Sequence, residues 1–296
     1  MGNNIPPFLS HPCRQSCLNL KREMDSLYKK LLTYSYNIVG SYEDAKDLVQ
    51  DALEKYVGVD ESTVLNKENY LTRSVINHSL NFKKQICRQS KYGVWLPEPV
   101  PTETPDAGLI KENVARYSLL VLMEKLTPRE RAVFILKEAF DYSHEEIAGL
   151  LNISTYNSRK LLSRSKKALH QPAMRHAIHN RKIVASYIEA ITSGNVKELE
   201  KLLTEDVKVY ADGGSKVKVI GESVTGRTAT VQLLLLVYNQ YQSNYTCRIH
   251  FFNHEPAVCF FDKHKMVICQ ILHIRENKVA GLYAILDVAK LPLITR

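Results

Sequence analysis

The first half of the chain places hydrophobic and polar residues with the period of amphipathic helices. In residues 40–57, apolar side chains recur at intervals of three and four positions, and Ser41 with Asp44 forms a capping pattern at the start. The opposite face of this predicted helix is acidic. A second helix is predicted over 67–88, and it becomes basic at its end. Residues 20–90 are therefore predicted to be helical.

Residues 91–110 interrupt this pattern. In the stretch KYGVWLPEPVP, the single tryptophan of the chain, Trp95, is followed by Pro97, Pro99 and Pro101. Prolines lack an amide donor and push the preceding residue toward an extended conformation, so we predict an extended linker here. Such a linker has no local means of burying an indole, which raises the question of what Trp95 contacts.

Helical periodicity resumes near Lys111 and ends in a helix-turn-helix pattern. Thr127 and Ser143 are predicted N-caps, each followed three positions later by a glutamate that completes a capping box. The last helix, 155–169, has leucines on one face and five basic residues on or beside the other. Such a helix neutralises DNA phosphates and reaches base edges, although a solvated face on an ordinary helix pair is the alternative. The predicted DNA contacts are Thr155, Tyr156, Asn157, Arg159, Lys160, Ser163, Arg164 and Lys167.

After residue 180 the pattern becomes that of an α+β domain. Two helices separated at Gly194-Asn195 precede a strand region with a glycine turn, and a further helix is predicted over 227–242. Alternating strands then run over 247–286, which predicts helices first and a curled antiparallel sheet after them. The predicted turns lie at 254–256, 262–265 and 276–278.

Composition and charge narrow the function classes. The net charge of +9 favours an anionic partner such as nucleic acid. The six cysteines are scattered, which fits a reduced cytoplasmic setting, and His11, Cys13 and Cys17 lack a fourth ligand at zinc-finger spacing, so no metal is expected. The N-terminus lacks signal-peptide features and the apolar run at 231–237 is too short to span a bilayer, so no membrane partner is expected.

Several stretches resemble bacterial sigma factors. TPRERAVFILKEAFDYSHEEIAGLLNISTYNSRKLLSRSKKAL resembles region 4, which recognises the −35 promoter element. SYEDAKDLVQDALEKYV resembles region 2.2, which docks on the clamp of RNA polymerase, and ENYLTRSVINHSLNFKKQ resembles regions 2.3 and 2.4, which open and recognise the −10 element. No room is left for a region 3, which is the layout of the extracytoplasmic-function (group IV) sigma factors.

Two more stretches resemble a subgroup that carries a fused SnoaL-like C-terminal domain. They are WLPEP in the linker and DGGSK at 212–216. Ser215 departs from the subgroup's DGGGK pattern, and LDVAKL at 286–291 is a degenerate match to its NPDKL segment. Leu161 stands where general sigma factors often have an arginine, and SRKLLSR is closer to the subgroup's CRQLLHR-like helix.

The resemblance implies a multidomain fold: two all-α sigma domains, regions 2 and 4, the latter a helix-turn-helix, followed by an α+β SnoaL-like cone-shaped domain. The implied boundaries are 1–19 for an N-terminal extension, 20–91 for region 2, 92–110 for the proline-rich linker, 111–172 for region 4, 173–180 for a connector and 181–296 for the SnoaL-like domain.

The resemblance also implies residue roles. An asparagine offers both a donor and an acceptor to an unstacked −10 base, and Tyr70 either stacks on DNA or belongs to the core. The implied −10 residues are Tyr70, Asn77, Asn81, Lys83, Lys84 and Arg88, and the implied polymerase contacts are Asp47, Gln50, Asp51 and Glu54. The implied regulatory contact comprises Trp95, Leu96, Pro97, Glu98 and Pro99 in the linker with Asp212, Gly213, Gly214 and Lys216 in the tail.

These expectations describe a sigma factor that binds core RNA polymerase and promoter DNA and is regulated in cis by its C-terminal domain. Trp95 would be anchored on another domain or, alternatively, would cover its own. The alternative function is a helix-turn-helix regulator that acts without polymerase and has a ligand-sensing tail. A small ligand in the cone of the tail is a further hypothesis.

We expect no enzymatic activity and no cofactor. An acid and base pair in the tail would have to come from Asp212, His250, His254 and His273, which form no constellation defined by spacing. DGGSK also lacks the spacing and the trailing helix of a phosphate-binding loop.

Overall fold

The computed structural model describes residues 12–89, 94–103, 108–170 and 181–291, with side chains left out at 12–20, 61 and 87–89. Predictions made for residues 1–11, for the side chains of Cys13, Cys17 and Arg88 and for the connector at 173–180 lie outside this description. None of the helices in the described part of the chain combines the length and the apolar character that crossing a membrane requires.

Three long helices form the N-terminal part of the fold: α1 (Pro12–Val39), α2 (Tyr42–Val57) and α3 (Lys67–Gln89). The Ser41 side chain accepts a hydrogen bond from the amide of Asp44, so the predicted cap of α2 is present. A single 3₁₀ turn (Glu61–Thr63) precedes α3. Helix α1 begins within the segment expected to be an N-terminal extension.

Four shorter helices follow the linker: α4 (Tyr117–Met123), α5 (Pro128–Glu138), α6 (His144–Leu151) and α7 (Thr155–Ala168). Both predicted capping boxes are present, at Thr127 with Glu130 and at Ser143 with Glu146. Asn152 ends α6 in the left-handed conformation, with φ of 51°, and Ser154 caps α7. Helices α6 and α7 therefore form the predicted helix-turn-helix.

Helices α1–α7 share one hydrophobic core and form what we call the helical body. Leu31 of α1, Leu71 of α3 and Phe134 of α5 belong to the same buried cluster, as does Ile147 of α6. The hydroxyl groups of Tyr34 and Tyr142 are 2.7 Å apart, which adds a polar contact between the two groups of helices. The two all-α parts are thus packed against each other.

Residues 181–291 form the tail domain, which contains three helices and a six-stranded sheet. Its elements are α8 (Arg181–Thr192), α9 (Val196–Leu202), β1 (Leu203–Asp212), β2 (Val224–Thr225), α10 (Arg227–Val237), β3 (Thr246–Phe252), β4 (Glu255–Asp262), β5 (Lys265–Arg275) and β6 (Lys278–Ile285). A π-helical turn (Tyr238–Gln242) extends α10, so the predicted helix over 227–242 changes its hydrogen bonding near its end.

The strand order is β2-β1-β6-β5-β4-β3. The strands from β3 to β6 are antiparallel neighbours, as predicted, but β1 pairs parallel to β6, so the expectation of a purely antiparallel sheet is wrong. The reason is that β1 follows α9 and precedes α10, and a strand bounded by helices need not reverse direction as a hairpin strand must. Tight turns with positive φ lie at Asn253-His254 and Glu276-Asn277.

The sheet has two apolar faces with different partners. The inner face, which includes Val258 and Phe260, packs against α8–α10. The outer face, which includes Ala257 and Cys259, packs against segments outside the tail domain. We call this second group the interface cluster: Leu96 of the linker, Tyr117 of α4, and Phe252, Ala257, Cys259, Phe261, Met266, Cys269, Ile271, Tyr283 and Ile285 of the sheet.

Candidate nucleic-acid and interdomain interfaces

The linker lies between the helical body and the outer face of the tail domain. The amide of Leu96 donates to Oδ2 of Asp212 at 2.9 Å, and the ammonium of Lys290 donates to the carbonyl of Leu96 at 2.9 Å. On the other side, the amide of Glu98 donates to the carbonyl of Gly40 at 2.8 Å. An extended chain has free backbone groups on both edges, so it can bridge two bodies in this way.

Leu96, rather than Trp95, is the linker side chain anchored in the tail. Leu96 is fully buried in the interface cluster, whereas Trp95 is half-buried. The indole lies against Gly40, where a β-carbon would be 3.0 Å from the ring, and the φ of 86° at this position also favours glycine. The ammonium groups of Lys83 and Lys290 each lie 4.5 Å from the ring centroid. Trp95 therefore contacts both the helical body and the tail. The two alternatives, an anchor on another domain and a cover for its own domain, thus both describe part of its position.

The remaining linker residues attach to α1, α2 and α4. The Glu98 carboxylate accepts from the amide of Tyr42 at 2.7 Å, at the start of α2, and burial raises the pKa of Glu98. The hydroxyl of Tyr117 donates to the carbonyl of Pro97 at 2.6 Å. Pro97 and Pro99 are buried. The predicted regulatory residues of the linker are thus all in contact with other segments.

In the DGGSK loop, Asp212 supplies the contact with the linker. Its Oδ2 atom lies 2.6 Å from the ammonium of Lys290, and Oδ1 accepts from the amide of Gly214 at 2.9 Å. A β-carbon at Gly213 would lie 2.0 Å from the carbonyl of Val217, so the loop requires glycine there. Lys216 is exposed.

A buried ion-pair network joins α3 to α4 and α5. Lys83 is 4 % exposed, and its ammonium lies 2.8 Å from Glu124 and 3.0 Å from the carbonyl of Val39. Arg131, which is fully buried, also pairs with Glu124 and donates to the carbonyl of Asn37 at 2.8 Å. In this arrangement Lys83 does not reach solvent, so the prediction that it contacts a DNA phosphate does not hold here. Its amphipathic helix position predicted exposure, but α4 covers it.

Glu255 of the tail binds the start of α4. Its carboxylate is fully buried and accepts from the amide of Ser118 at 2.8 Å, from the Ser118 hydroxyl at 2.7 Å and from Arg116 at 2.8 Å. Nδ1 of His273 lies 2.9 Å from the same carboxylate. Burial alone would raise the pKa of Glu255, but His273 and Arg116 outweigh burial and lower it.

Asn253, in the β3–β4 turn, joins three segments. Its side chain accepts from the amide of Val100 at 2.9 Å and donates to the Tyr36 hydroxyl at 2.8 Å and the Ala115 carbonyl at 3.1 Å. Sequence reasoning missed both Asn253 and Glu255. The sequence around this turn predicted only a local reversal of the backbone. A single glutamate in a predicted strand does not indicate a partner more than a hundred positions away.

The basic face of α7 is open to solvent. Arg159, Lys160, Ser163, Arg164 and Lys167 are exposed, and Thr155 and Asn157 are half-buried. Tyr156 is 75 % exposed, which is unusual for an aromatic side chain unless it has a partner elsewhere. Arg159 lies 3.6 Å from Glu145 in an exposed ion pair. All the side chains predicted to contact the −35 element therefore lie on one accessible helix.

The side chains predicted for the −10 element lie along α3. Tyr70 is 38 % exposed, its ring centroid is 5.6 Å from that of Tyr56, and it lines a cleft opposite Tyr142 and Glu146 near α6. The Tyr70 side chain is therefore partly packed against the helical body and partly accessible to solvent. Asn77 is half-buried, whereas Asn81 and Lys84 are exposed.

The acidic face of α2 points away from the rest of the helical body. Asp47, Gln50, Asp51 and Glu54 are all exposed. The Gln50 side chain donates to Glu54 at 2.9 Å, which orders the surface along one helical turn. These four residues form one continuous surface.

Comparison with known proteins identifies this arrangement. The family described as Sigma-70, region 4 matches residues 116–169, which contain α4–α7. ECF RNA polymerase sigma factor SigJ of Mycobacterium tuberculosis is 29 % identical over 230 residues, covering 74 % of this chain and 73 % of SigJ. The crystal structure of SigJ superposes with a TM-score of 0.74 at 25 % identity, covering 92 % of this chain and 99 % of that one.

The chain is a sigma factor that is similar to the extracytoplasmic-function group along most of its length. A second relative of the same bacterium, a probable ECF sigma factor named SigI, is 22 % identical over 67 % of this chain and 71 % of its own. The predicted fold class is confirmed: all-α sigma regions precede an α+β SnoaL-like domain. Helices α6 and α7 are the helix-turn-helix of region 4 in this sigma factor.

The acid and base candidates of this sigma factor's tail do not meet inside the cone. Asp212 and His273 lie on the outer-face side of their strands and bind the linker and Glu255. His254, in the β3–β4 turn, lies 2.9 Å from the carbonyl of Lys111. His250 lies beside Phe252 on β3. Among the described residues, no group of three or more His, Cys, Asp or Glu side chains is arranged to hold a metal ion.

Proposed function

We propose that this sigma factor binds core RNA polymerase through α2, recognises a promoter through α3 and α7, and is held inactive by its tail domain. The observation that carries the proposal is the exposed basic face of α7 within the segment that matches region 4. Exposed arginine and lysine side chains neutralise phosphates, and the first turn of a recognition helix is where base edges are contacted.

The exposed carboxylates of α2 support the polymerase contact. Asp47, Asp51 and Glu54 form an acidic surface on a chain whose net charge is +9. An acidic surface on a basic protein fits a basic partner and disfavours DNA at the same place. We therefore assign this surface to polymerase and the basic helix to DNA.

Regulation in cis follows from the shared core of the helical body. The resemblance to sigma factors assigns α3 and α7 to two separate promoter elements. While α1–α7 share one core, the distance between α3 and α7 is fixed. We infer that these helices move apart before both elements are bound.

The tail domain supports the closed arrangement, which we define as the state with the linker between the helical body and the outer face. Asp212 and Lys290 hold the linker, and Glu255 holds the start of α4. The tail domain therefore holds the linker and the start of α4, which connect α1–α3 to α5–α7. We infer that release of the linker is the regulatory step.

Run-off transcription with core polymerase and genomic DNA tests the function. We expect transcripts from defined start sites that depend on the sigma factor, and co-purification of the chain with core polymerase. Substitution of Asp47 and Asp51 by lysine should abolish the co-purification but leave binding of α7 to DNA intact. DNA binding without either transcripts or co-purification would favour a regulator that acts without polymerase.

A further inference from the structure

Two thiols of the tail domain face each other across strands β4 and β5. Cys259 and Cys269 are directly opposite in the strand register, and their sulfur atoms are 3.9 Å apart. Neither side chain is exposed to solvent. Both belong to the interface cluster, and the proposed transcription function gives neither of them a role.

Part of what buries the two thiols does not belong to the tail domain. Leu96 from the linker and Tyr117 from α4 complete the interface cluster over the outer face. Movement of these two segments would expose the face that carries the thiols. The accessibility of the pair therefore depends on whether the linker and α4 are docked.

Burial of the docked pair limits its reaction with oxidants. Burial raises the pKa of the Cys269 thiol well above its usual range, and the neighbouring Cys259 adds to the effect. Since the thiolate is the reactive form of cysteine, the buried pair reacts slowly with oxidants. Contact with water would restore an ordinary thiol pKa and allow the thiolate to form.

We propose that Cys259 and Cys269 are an oxidisable dithiol that reacts with peroxides only when the linker and α4 leave the outer face. One thiolate attacks a peroxide oxygen, which leaves a sulfenic acid and releases one water after proton transfer. The second thiolate then displaces the sulfenic oxygen as a second water and forms the disulfide. The pair loses two electrons and two protons, and hydrogen peroxide is reduced to two waters.

The disulfide and the closed arrangement compete for the same surface. A disulfide bond brings two sulfur atoms to about 2.05 Å, so the pair must close by roughly 2 Å from its present separation. In a close-packed cluster this movement leaves gaps under Leu96 and Tyr117. A modification that forms in the open state and fits the closed state poorly shifts the population toward the open state. This step rests on the proposed regulation by the tail.

The test uses a full-length chain in which Cys13, Cys17, Cys87 and Cys247 are replaced by serine, so that the dithiol alone remains. Hydrogen peroxide is added to this chain and to the same chain carrying Asp212→Ala, which removes the acceptor for Leu96. Disulfide formation is measured by the loss of two hydrogen masses from the chain and by protection of the two cysteines from alkylation. We expect the Asp212→Ala chain to form the disulfide faster by about tenfold or more.

The effect of oxidation on the docking of the linker is measured by the fluorescence of Trp95, which lies beside Lys290 of the tail. Oxidised chain should show a red-shifted tryptophan emission that dithiothreitol reverses, whereas the matched Cys269→Ser chain should show no reversible shift. Leu96→Ala serves as a second opening variant, and circular dichroism checks that each chain is folded. Equal oxidation rates in closed and opened chains would overturn the proposal, as would a disulfide that leaves the emission unchanged.

These readouts need neither polymerase nor DNA. If the thiols do not respond to opening but the reduced chain supports transcription, the dithiol proposal fails alone. If the thiols respond as expected and the reduced chain supports no transcription, the proposed function fails and the dithiol chemistry stands.

Discussion

The ammonium of Lys290 lies 2.6 Å from the carboxylate of Asp212, and both groups also bind the backbone of Leu96. One member of the pair accepts from the amide of Leu96 and the other donates to its carbonyl. A single linker residue is thus held at both of its backbone groups by an ion pair that is largely buried. The stability of these contacts determines how often the linker leaves the tail.

Replacing Asp212 by asparagine should weaken the attachment of the linker to the tail domain. Asparagine retains an oxygen that can accept from Leu96, but it leaves the charge of Lys290 without its partner. Breaking a buried pair in this way costs up to about 3 kcal/mol, a hundredfold change in an equilibrium. We expect a red shift in Trp95 emission and more run-off transcript per sigma factor.

Asp206→Asn is the matched control for Asp212→Asn. Asp206 pairs with Arg275 on the surface, where both side chains are more than half exposed. Such pairs contribute little to stability, so emission and transcription should stay at wild-type levels. Loss of transcription in Asp212→Asn with an unchanged emission spectrum would show that the tail supports polymerase binding and does not restrain the linker.

Local features of the fold were predictable from the sequence. The capping boxes at Thr127 and Ser143, and the cap at Ser41, involve residues within three positions of each other, so the pattern alone determines them. The tight strand turns and the break at Gly194-Asn195 are equally local. The acidic face of α2 and the basic face of α7 are exposed, as helical spacing predicted.

The contacts between the parts of the chain were not predictable in the same way. Lys83 belongs to a basic helix end and was expected to contact phosphates, yet α4 places Glu124 beside it. The sequence predicts the indole of Trp95 as the anchor, but the smaller Leu96 is the side chain that enters the interface cluster. Such outcomes depend on which surfaces meet, and periodicity within a single segment carries no information about that.

Arg159→Ala and Lys160→Ala should each weaken promoter binding. If the side chain contacts a phosphate, the slope of log affinity against log salt should fall by about one unit. If it contacts a base edge, discrimination at one position of the −35 element should drop by about 1–3 kcal/mol. Binding to a labelled promoter fragment, measured over a range of salt concentrations, separates the two cases.

Lys201→Ala is the matched control for these two substitutions. Lys201 is an exposed lysine of α9 in the tail domain, far along the chain from region 4, and it pairs with Glu198. Its removal subtracts the same charge from the protein without touching α7. Equal losses of affinity in all three variants would mean that net charge, and not the face of α7, accounts for binding.

Glu124→Gln should destabilise the helical body in a pH-dependent way. Burial alone would raise the pKa of Glu124, but Arg131 and Lys83 outweigh it, so the pKa of this carboxyl lies below its usual range. A depressed pKa in the folded state gives stability that is present above the unfolded value of about 4.3 and is lost as the pH falls through the folded value.

The wild-type chain should therefore be more stable than Glu124→Gln near pH 7, by about 3 kcal/mol, and the gap should narrow in acid below about pH 4.3. Urea unfolding at a series of pH values measures the difference. Glu43→Gln, which removes an exposed partner of Lys46, should follow the wild-type curve closely. A gap that stays constant down to the acid limit would mean that the Glu124 charge does not stabilise the fold.

Leu96→Ala should open the chain more than Trp95→Ala does. Leu96 is fully buried in the interface cluster, and truncating a buried leucine costs about 2–5 kcal/mol. Trp95 is half-buried and contributes mainly through the ammonium groups of Lys83 and Lys290, worth about 0.5–2 kcal/mol each. Run-off transcription by the two variants, in chains that still fold by circular dichroism, ranks the two contributions.

Trp95 emission in the Leu96→Ala chain supplies an independent measure, because the reporter remains in place when its neighbour is truncated. A red shift like that expected on deletion of residues 181–296 would show that Leu96 holds the linker on the tail. Leu236→Ala, at an exposed leucine of α10 that is 54 % accessible, removes the same atoms outside the interface and should leave emission unchanged. If Leu96→Ala keeps the wild-type emission while Trp95→Ala raises transcription, the indole is the anchor after all, and the leucine merely fills the space beneath the linker.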